Sequence, residues 1–298
     1  MPSKNEKLKL GTMLGNYPNV AALKSGQVKS DLVEFDFADV PVANKFFKSV
    51  VREQKFDLSE LAIATFLQAK SYGKPYTLLP ITILGRGQLH TIGYNPERGQ
   101  IKPTDLNGRR VGVRAYTQTT GVWVRGIFGD QYGMDFQKVK WVTFEDPHLA
   151  EYRDPPFIQR APAGKELAKM LLDGEIDAAI LGDKFPDLRL KPLIPDPEAA
   201  NRAWAESHGG IPINHMLVIR DSIAKSRPDI VKEIFRLFRE ARKADKSSDG
   251  GGLDPYRFGI EPNRRSLELI IDYAFRQKLI PRKFTVDELF DDTMRALA

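Results

Sequence analysis

Segments of strand-like and helix-like periodicity alternate along most of this chain, and a βαβ rhythm of that kind leaves few architectures open. Lys7–Leu14 reads as a strand, Asn16–Gly26 as a short helix closed by Gly26, and Leu32–Phe37 as a second strand. Phe46, Phe47, Val50 and Val51 share one face over Asn44–Arg52, as helical periodicity requires. Leu58–Thr65 and Tyr76–Leu84 look like buried strands, the latter broken by Pro80, and Thr91–Asn95 like a shorter one. An open α/β sheet covered by helices satisfies this pattern.

A second α/β run begins near Lys102. Asp105–Gly108 is a turn, Arg110–Arg114 a strand, about Thr120 to Tyr132 a helix, and Lys140–Phe144 another strand. Leu167, Met170 and Leu171 mark a helix over Glu166–Leu172, Asp173-Gly174 ends it, and Ile176–Leu181 is a strand. Ile213–Ile219 is a late return strand, after which Ile230, Val231, Ile234, Leu237, Phe238 and Ala241 mark one amphipathic helix. Leu267, Ile270, Ile271, Ala274 and Phe275 mark a second. Lys246–Gly252 reads as a flexible loop and the first place a protease would cut. The 298 residues accommodate one large or two medium domains. An inserted α/β unit with a return strand predicts two discontinuous lobes, 1–104 with 218–298, and 105–217. The turn Lys102–Gly108 ahead of Arg110–Arg114, the helix–Gly–strand run Met170–Leu181 and the return strand resemble the type II periplasmic-binding-protein fold. That resemblance implies an α/β, two-lobe molecule with a ligand cleft between the lobes.

Composition removes several function classes. There is no Cys, which excludes disulfides, thiolate metal sites, iron–sulfur clusters and cysteine nucleophiles. No apolar run is long enough for a spanning helix, and the charged Met1–Leu10 stretch is not followed by a signal-peptide core, so the expectation is a cytoplasmic protein without membrane contact. The 45 Lys and Arg against 39 Asp and Glu give a dispersed charge of +6. Arg109-Arg110 and Arg264-Arg265 are its densest groupings, which argues against nucleic acid as the partner. No P-loop, His-Glu-x-x-His or Gly-x-Ser-x-Gly motif is present.

Four loops carry candidate chemistry. Glu60, beside a buried strand, is either a surface charge or a site carboxylate. Gly85-Arg86-Gly87-Gln88-Leu89-His90 is either an anion grip, with His90 entering a strand, or a plain hairpin. Tyr116-Thr117-Gln118-Thr119-Thr120 precedes a helix and is either an anion cradle or an ordinary cap; Trp123 and Arg125, one turn on, are either site groups or equally core and surface. His215 opens the return strand, as a site group or a structural histidine, whereas His148 and His208 read as surface residues.

Taken in order, Glu60, Arg86 with His90, Tyr116 and Thr119 with Val122–Ile127, Met170–Ala178, and Pro212 to His215 before Val218–Arg220 resemble the 4,5-dihydroxyphthalate decarboxylase family. Its frequent Arg-His and Gln-Met-Thr stand here as Leu89-His90 and Thr117-Gln118-Thr119. The resemblance implies a non-oxidative carboxy-lyase of aromatic-acid catabolism, working by acid/base chemistry without a cofactor on a small hydroxylated aromatic carboxylate. It implies proton transfers by His90 and His215 facing each other across the cleft, Glu60 orienting a histidine or taking the phenolic proton, and Arg86 holding the carboxylate. Tyr116, Thr117, Gln118, Thr119, Thr120 and Arg125 would hold the same or a second anionic group. Two alternatives stay open: a solute-binding protein for a small aromatic or dicarboxylic acid, and a divalent metal on Glu60, His90 and His215. Homo-oligomerisation is not set by the sequence.

Overall fold

A computed structural model describes residues 7–246 and 254–297 of the chain. Residues 247–252 of the expected protease-sensitive loop lie outside the described residues. The strands, in chain order, are β1 (Leu8–Met13), β2 (Val33–Phe37), β3 (Leu58–Ala62), β4 (Tyr76–Gly85), β5 (Ile92–Tyr94), β6 (Arg110–Val113), β7 (Lys140–Thr143), β8 (Ile158–Arg160), β9 (Ala178–Ile180), β10 (Lys191–Pro192) and β11 (Ile213–Arg220). The helices are α1 (Ala21–Lys24), α2 (Phe47–Glu53), α3 (Ile63–Ser71), α4 (Thr119–Tyr132), α5 (Leu167–Asp173), α6 (Pro197–His208), α7 (Asp221–Ser226), α8 (Pro228–Ala244), α9 (Ile260–Arg276) and α10 (Asp292–Arg295).

Two units emerge. The first comprises Met1–Gly85, Ile213–Glu268 and Phe284–Ala298; the second comprises Arg86–Pro212 and Leu269–Lys283. These divisions differ from the boundaries read at 104/105 and 217/218, and backbone pairing supplies the reason. β5 hydrogen-bonds to β9 and β10, which carries 86–104 into the second unit. β11 begins at Ile213 and pairs with β3 and β4, which carries 213–217 into the first. The division also passes through α9, at Glu268/Leu269.

In the first unit the strand order is β2-β1-β3-β11-β4. β1 runs parallel to β2 and β3, whereas β11 lies antiparallel between β3 and β4, with Leu217 opposite Glu60 and His215 opposite Ala62. All five residues of β3 are buried, as an apolar run in a covered central strand should be. The expected break at Pro80 does not occur. β4 is an edge strand in this order, where a missing N–H is tolerated, and register shifts along β11 between His215 and Val218 take up the irregularity. The Leu58–Thr65 run is not one strand: it turns after Ala62 into α3, because an unbroken apolar stretch has no periodicity with which to separate a buried strand from a buried helix.

In the second unit the order is β10-β5-β9-β6-β7-β8, with β9, β6, β7 and β8 parallel and β5 and β10 antiparallel. Its core includes Val142, Met170, Leu171, Ile176 and Ala179. α6 escaped the periodicity reading although its start is signalled: Asp196 accepts the Ala199 N–H with Pro197 in the first turn. His148, read as a surface residue, is buried, and His208 is half-buried, stacked on Trp204 at 4.5 Å.

Candidate functional site

Glu60 sits on the central strand β3 and has 0% exposure. A buried carboxylate persists only when donors satisfy it, and three do. The Gly15 N–H donates to Oε1 at 2.6 Å, while the Tyr17 hydroxyl and His215 Nδ1 reach Oε2 at 3.1 and 3.0 Å. Gly15 and Tyr17 follow β1, at the carboxyl end of a parallel pair, where α/β sheets place ligand-binding loops. A side chain at 15 would not fit, since a Cβ there would lie 2.8 Å from both Glu60 Oε1 and the Tyr17 ring. Lys24 fastens the same turn, donating to the Leu14 carbonyl at 2.9 Å and to Asn16 Oδ1. Burial lowers the Lys24 pKa, against the opposing pull of the Glu60 and Asp39 charges.

Antiparallel pairing of β11 with β3 delivers His215 to this carboxylate across the sheet. The imidazole packs edge-on against Phe47 with ring centres 5.1 Å apart. An acceptor on Nδ1 selects the tautomer that carries its proton there, which leaves Nε2 to give or take a proton. A His–carboxylate pair with a held ring orientation is general acid/base equipment.

The second unit gathers a different cluster. Arg86 and His90 are brought together by the Leu89–Thr91 3-10 turn, so His90 sits on that turn and not at the entry of a strand. Gly87 permits the close approach of Asn201, whose side chain would lie 2.2 Å from a Cβ and accepts the Leu89 N–H at 3.1 Å. Asp183, which sequence reasoning missed, turns one carboxylate oxygen toward both cations. Its Oδ1 pairs with Arg86 Nη1 and stands 3.0 Å from His90 Nε2. Burial and then the Arg86 charge push the His90 pKa down, with Glu198 opposing them. Asp183 follows Gly182, whose φ of +96° no other residue adopts readily, and that glycine after a strand was the signal available.

Tyr116, Thr117, Gln118, Thr119, Thr120 and Arg125 gather around the start of α4, and all but Gln118 are buried. No side chain caps the helix at Gln118, and Gln118 Oε1 has no partner. Arg125, which the sequence left open between a surface charge and a site group, is fully buried. Its Nε donates to Gln277 Oε1 at 2.6 Å, its Nη2 to the Tyr116 carbonyl at 2.5 Å, and it lies 4.1 Å over the Tyr116 ring. Nη1 remains buried without a partner, 3.0 Å from where a Gly121 Cβ would stand. The Tyr116 hydroxyl donates to the Gln277 carbonyl, and burial raises its pKa to about 12 against the Arg125 charge.

The structure therefore joins Glu60 with His215 in the first unit, and Arg86 with His90, and Tyr116 with Arg125, in the second. Among the described residues no three His, Cys, Asp or Glu side chains are gathered to hold a metal ion. Among the described residues no helix is long and apolar enough to cross a membrane.

Known proteins supply the remaining comparison. No family model matches the chain. The 4,5-dihydroxyphthalate decarboxylase of Comamonas testosteroni is 30% identical over 251 residues, covering 79% of this chain and 75% of that protein. The Pseudomonas putida protein of the same name is 30% identical over 213 residues, covering 66% and 81%. Among solved structures, the alkanesulfonate-binding protein SsuA from Xanthomonas axonopodis pv. citri superposes with a TM-score of 0.60 at 11% identity, over 96% of this chain and 99% of that one. The desulfurization enzyme DSZB does so at 0.53 and 15% identity, over 96% and 97%. The architecture is thus the two-lobe α/β fold of the periplasmic-type binding proteins, and by sequence the chain belongs to the 4,5-dihydroxyphthalate decarboxylase family.

Proposed function

We propose that this chain is a carboxy-lyase that removes a carboxylate non-oxidatively from a hydroxylated aromatic acid resembling 4,5-dihydroxyphthalate. The observation that carries the reading is the Glu60–His215 pair, a fully buried carboxylate fixing one ring nitrogen of a histidine. Decarboxylation of an aryl carboxylate consumes one proton: Ar–CO₂⁻ and H⁺ become Ar–H and CO₂. A base takes the phenolic proton, and electron density moves into the ring. An acid then protonates the carbon bearing the carboxylate, the bond to that carboxylate breaks, and its electron pair restores the aromatic ring. His215 Nε2 and His90 carry these proton transfers, worth roughly 10²–10⁴-fold for each positioned group. Glu60 fixes the His215 tautomer and balances the charge that develops on its ring.

Arg86 holds the carboxylate, with Asp183 as the anion it must release. The uncapped start of α4, with Thr117 to Thr120 and the unpartnered Arg125 Nη1 behind it, supplies positive potential for a second anionic group. The proposal includes catalysis without metal or organic cofactor, and a cytoplasmic location. Incubation with a panel of hydroxybenzoates and phthalates, with and without chelator, tests it by CO₂ release. His215→Ala should lower kcat by at least about 10²-fold while ligand binding survives. Binding of such acids with no CO₂ from any of them would move the protein to the solute-binding reading. Activity lost on chelation and restored by a divalent ion would overturn the cofactor-free mechanism.

A further inference from the structure

We infer that Tyr17 is a positioning residue of the proton-transfer pair, holding the Glu60 carboxylate so that it presents one fixed oxygen to His215. The inference rests on the reading of Glu60 and His215 as catalytic equipment. Four observations converge on it. The Tyr17 hydroxyl and His215 Nδ1 share Glu60 Oε2, at 3.1 and 3.0 Å. The Gly15 N–H takes the other oxygen at 2.6 Å, so the carboxylate is gripped at both ends and cannot rotate about its terminal bond without breaking a hydrogen bond. The backbone that carries Tyr17 is itself immobilised, by Lys24 on the Leu14 carbonyl and Asn16, and by Pro18 opening the following turn. The tyrosine ring also fills the space beside Gly15, 2.8 Å from where a Cβ would stand, so only glycine at 15 lets ring and carboxylate meet.

Two donors on one oxygen do different work. The hydroxyl rotor adapts to either lone pair of Oε2, whereas the imidazole N–H is directed by the plane of the ring. With Tyr17 in place, the lone pair left for Nδ1 is defined, and so is the direction of Nε2. Without the hydroxyl, the carboxylate keeps the Gly15 contact but gains freedom about it, and the ring follows. Tyr17 thus acts through Glu60 and touches no reacting atom.

Tyr17→Phe tests this, because it removes one oxygen and leaves the ring against Gly15. In the unliganded protein, NMR of the His215 Nδ1–H should show one sharp, slowly exchanging proton in the parent and a shifted, faster-exchanging one in the variant, the carboxylate still keeping the proton on Nδ1. With substrate, kcat should fall about tenfold with KM within about twofold, the loss expected for one hydrogen bond to a charged group. An unchanged Nδ1–H signal overturns the proposal, as does a fall in kcat with that signal intact, since the hydroxyl would then act on the substrate directly. If no acid on the panel releases CO₂ from the parent protein, the decarboxylase reading fails alone, and the Nδ1–H measurement still decides the role of Tyr17. An unchanged melting temperature in Tyr17→Phe separates lost positioning from lost fold.

Discussion

Replacing Glu60 by Gln asks whether the buried carboxylate is catalytic equipment or packing. The substitution keeps the size of the side chain and removes its charge. The new amide can still accept the Gly15 N–H, now 2.6 Å from Oε1, through its carbonyl oxygen. Its NH₂ then occupies the place of Oε2, where two donors now converge at 3.0 and 3.1 Å. The Tyr17 hydroxyl can rotate and accept. The imidazole cannot, unless Nδ1 gives up its proton and Nε2 takes one, which is the wrong tautomer for a base at Nε2. In triad enzymes that change of tautomer costs about 10⁴ in kcat, so Glu60→Gln should lower kcat by about 10³–10⁴-fold. Exchanging one charge-assisted hydrogen bond for a neutral one costs about 1.5–3 kcal/mol, less than the roughly 5–15 kcal/mol that keeps a domain folded. The variant should therefore remain folded by urea denaturation while CO₂ release collapses. A kcat within about threefold of the parent in a folded variant would refute the assignment of His215 and Glu60 as a proton-transfer pair.

Gly126→Ala places a Cβ 2.2 Å from the Tyr273 ring, which is held by its hydroxyl on Asp130 at 2.9 Å and edge-on to Trp123 at 5.6 Å, so urea denaturation should show a loss of about 1–3 kcal/mol. Asp183→Asn weakens the internal competitor for Arg86 and His90 and should lower KM for a carboxylate substrate about two- to fivefold, in line with the worth of an exposed ion pair; a raised KM would make Asp183 a substrate-holding group. Burial raises the Tyr76 and Tyr116 pKa values to about 12 from the ordinary 10.0, so the native state resists forming their phenolates. The unfolded chain releases those protons first. Stability from this source is complete below pH 10.0 and drains away as pH rises toward about 12, and Tyr116→Phe should flatten that alkaline slope in denaturation midpoints.

Much of this was legible in the residues. Local periodicity marked β1, β2, α8 and α9, because each presents its apolar positions at the spacing of its own backbone. Local signals failed where two structures share one pattern. Ile63 to Ala69 is buried throughout, so nothing in its hydrophobicity separated a helix from a continued strand. The boundary at 85/86 depends on β5 pairing with β9, a partner more than eighty residues away in the chain that no window on residues 86–104 contains.

The site divides the same way. Order along the chain singled out Glu60, Arg86, His90 and His215 as unusual residue types beside strands and glycines. Which of them touch was decided by tertiary structure alone. β11 enters between β3 and β4 antiparallel, and that register brings His215 within 3.0 Å of Glu60 across 155 positions of sequence. Asp183 reaches Arg86 and His90 from the loop after β9, and Tyr17 and Gly15 reach Glu60 from the loop after β1. Arg125 shows the converse: its place in a helix was readable, but its burial follows from Tyr116, Trp141 and Gln277 closing around it. Sequence sets the chemistry each residue can offer, and the partner that turns it into a base, an anion grip or a core cation arrives through strand pairing over long distance.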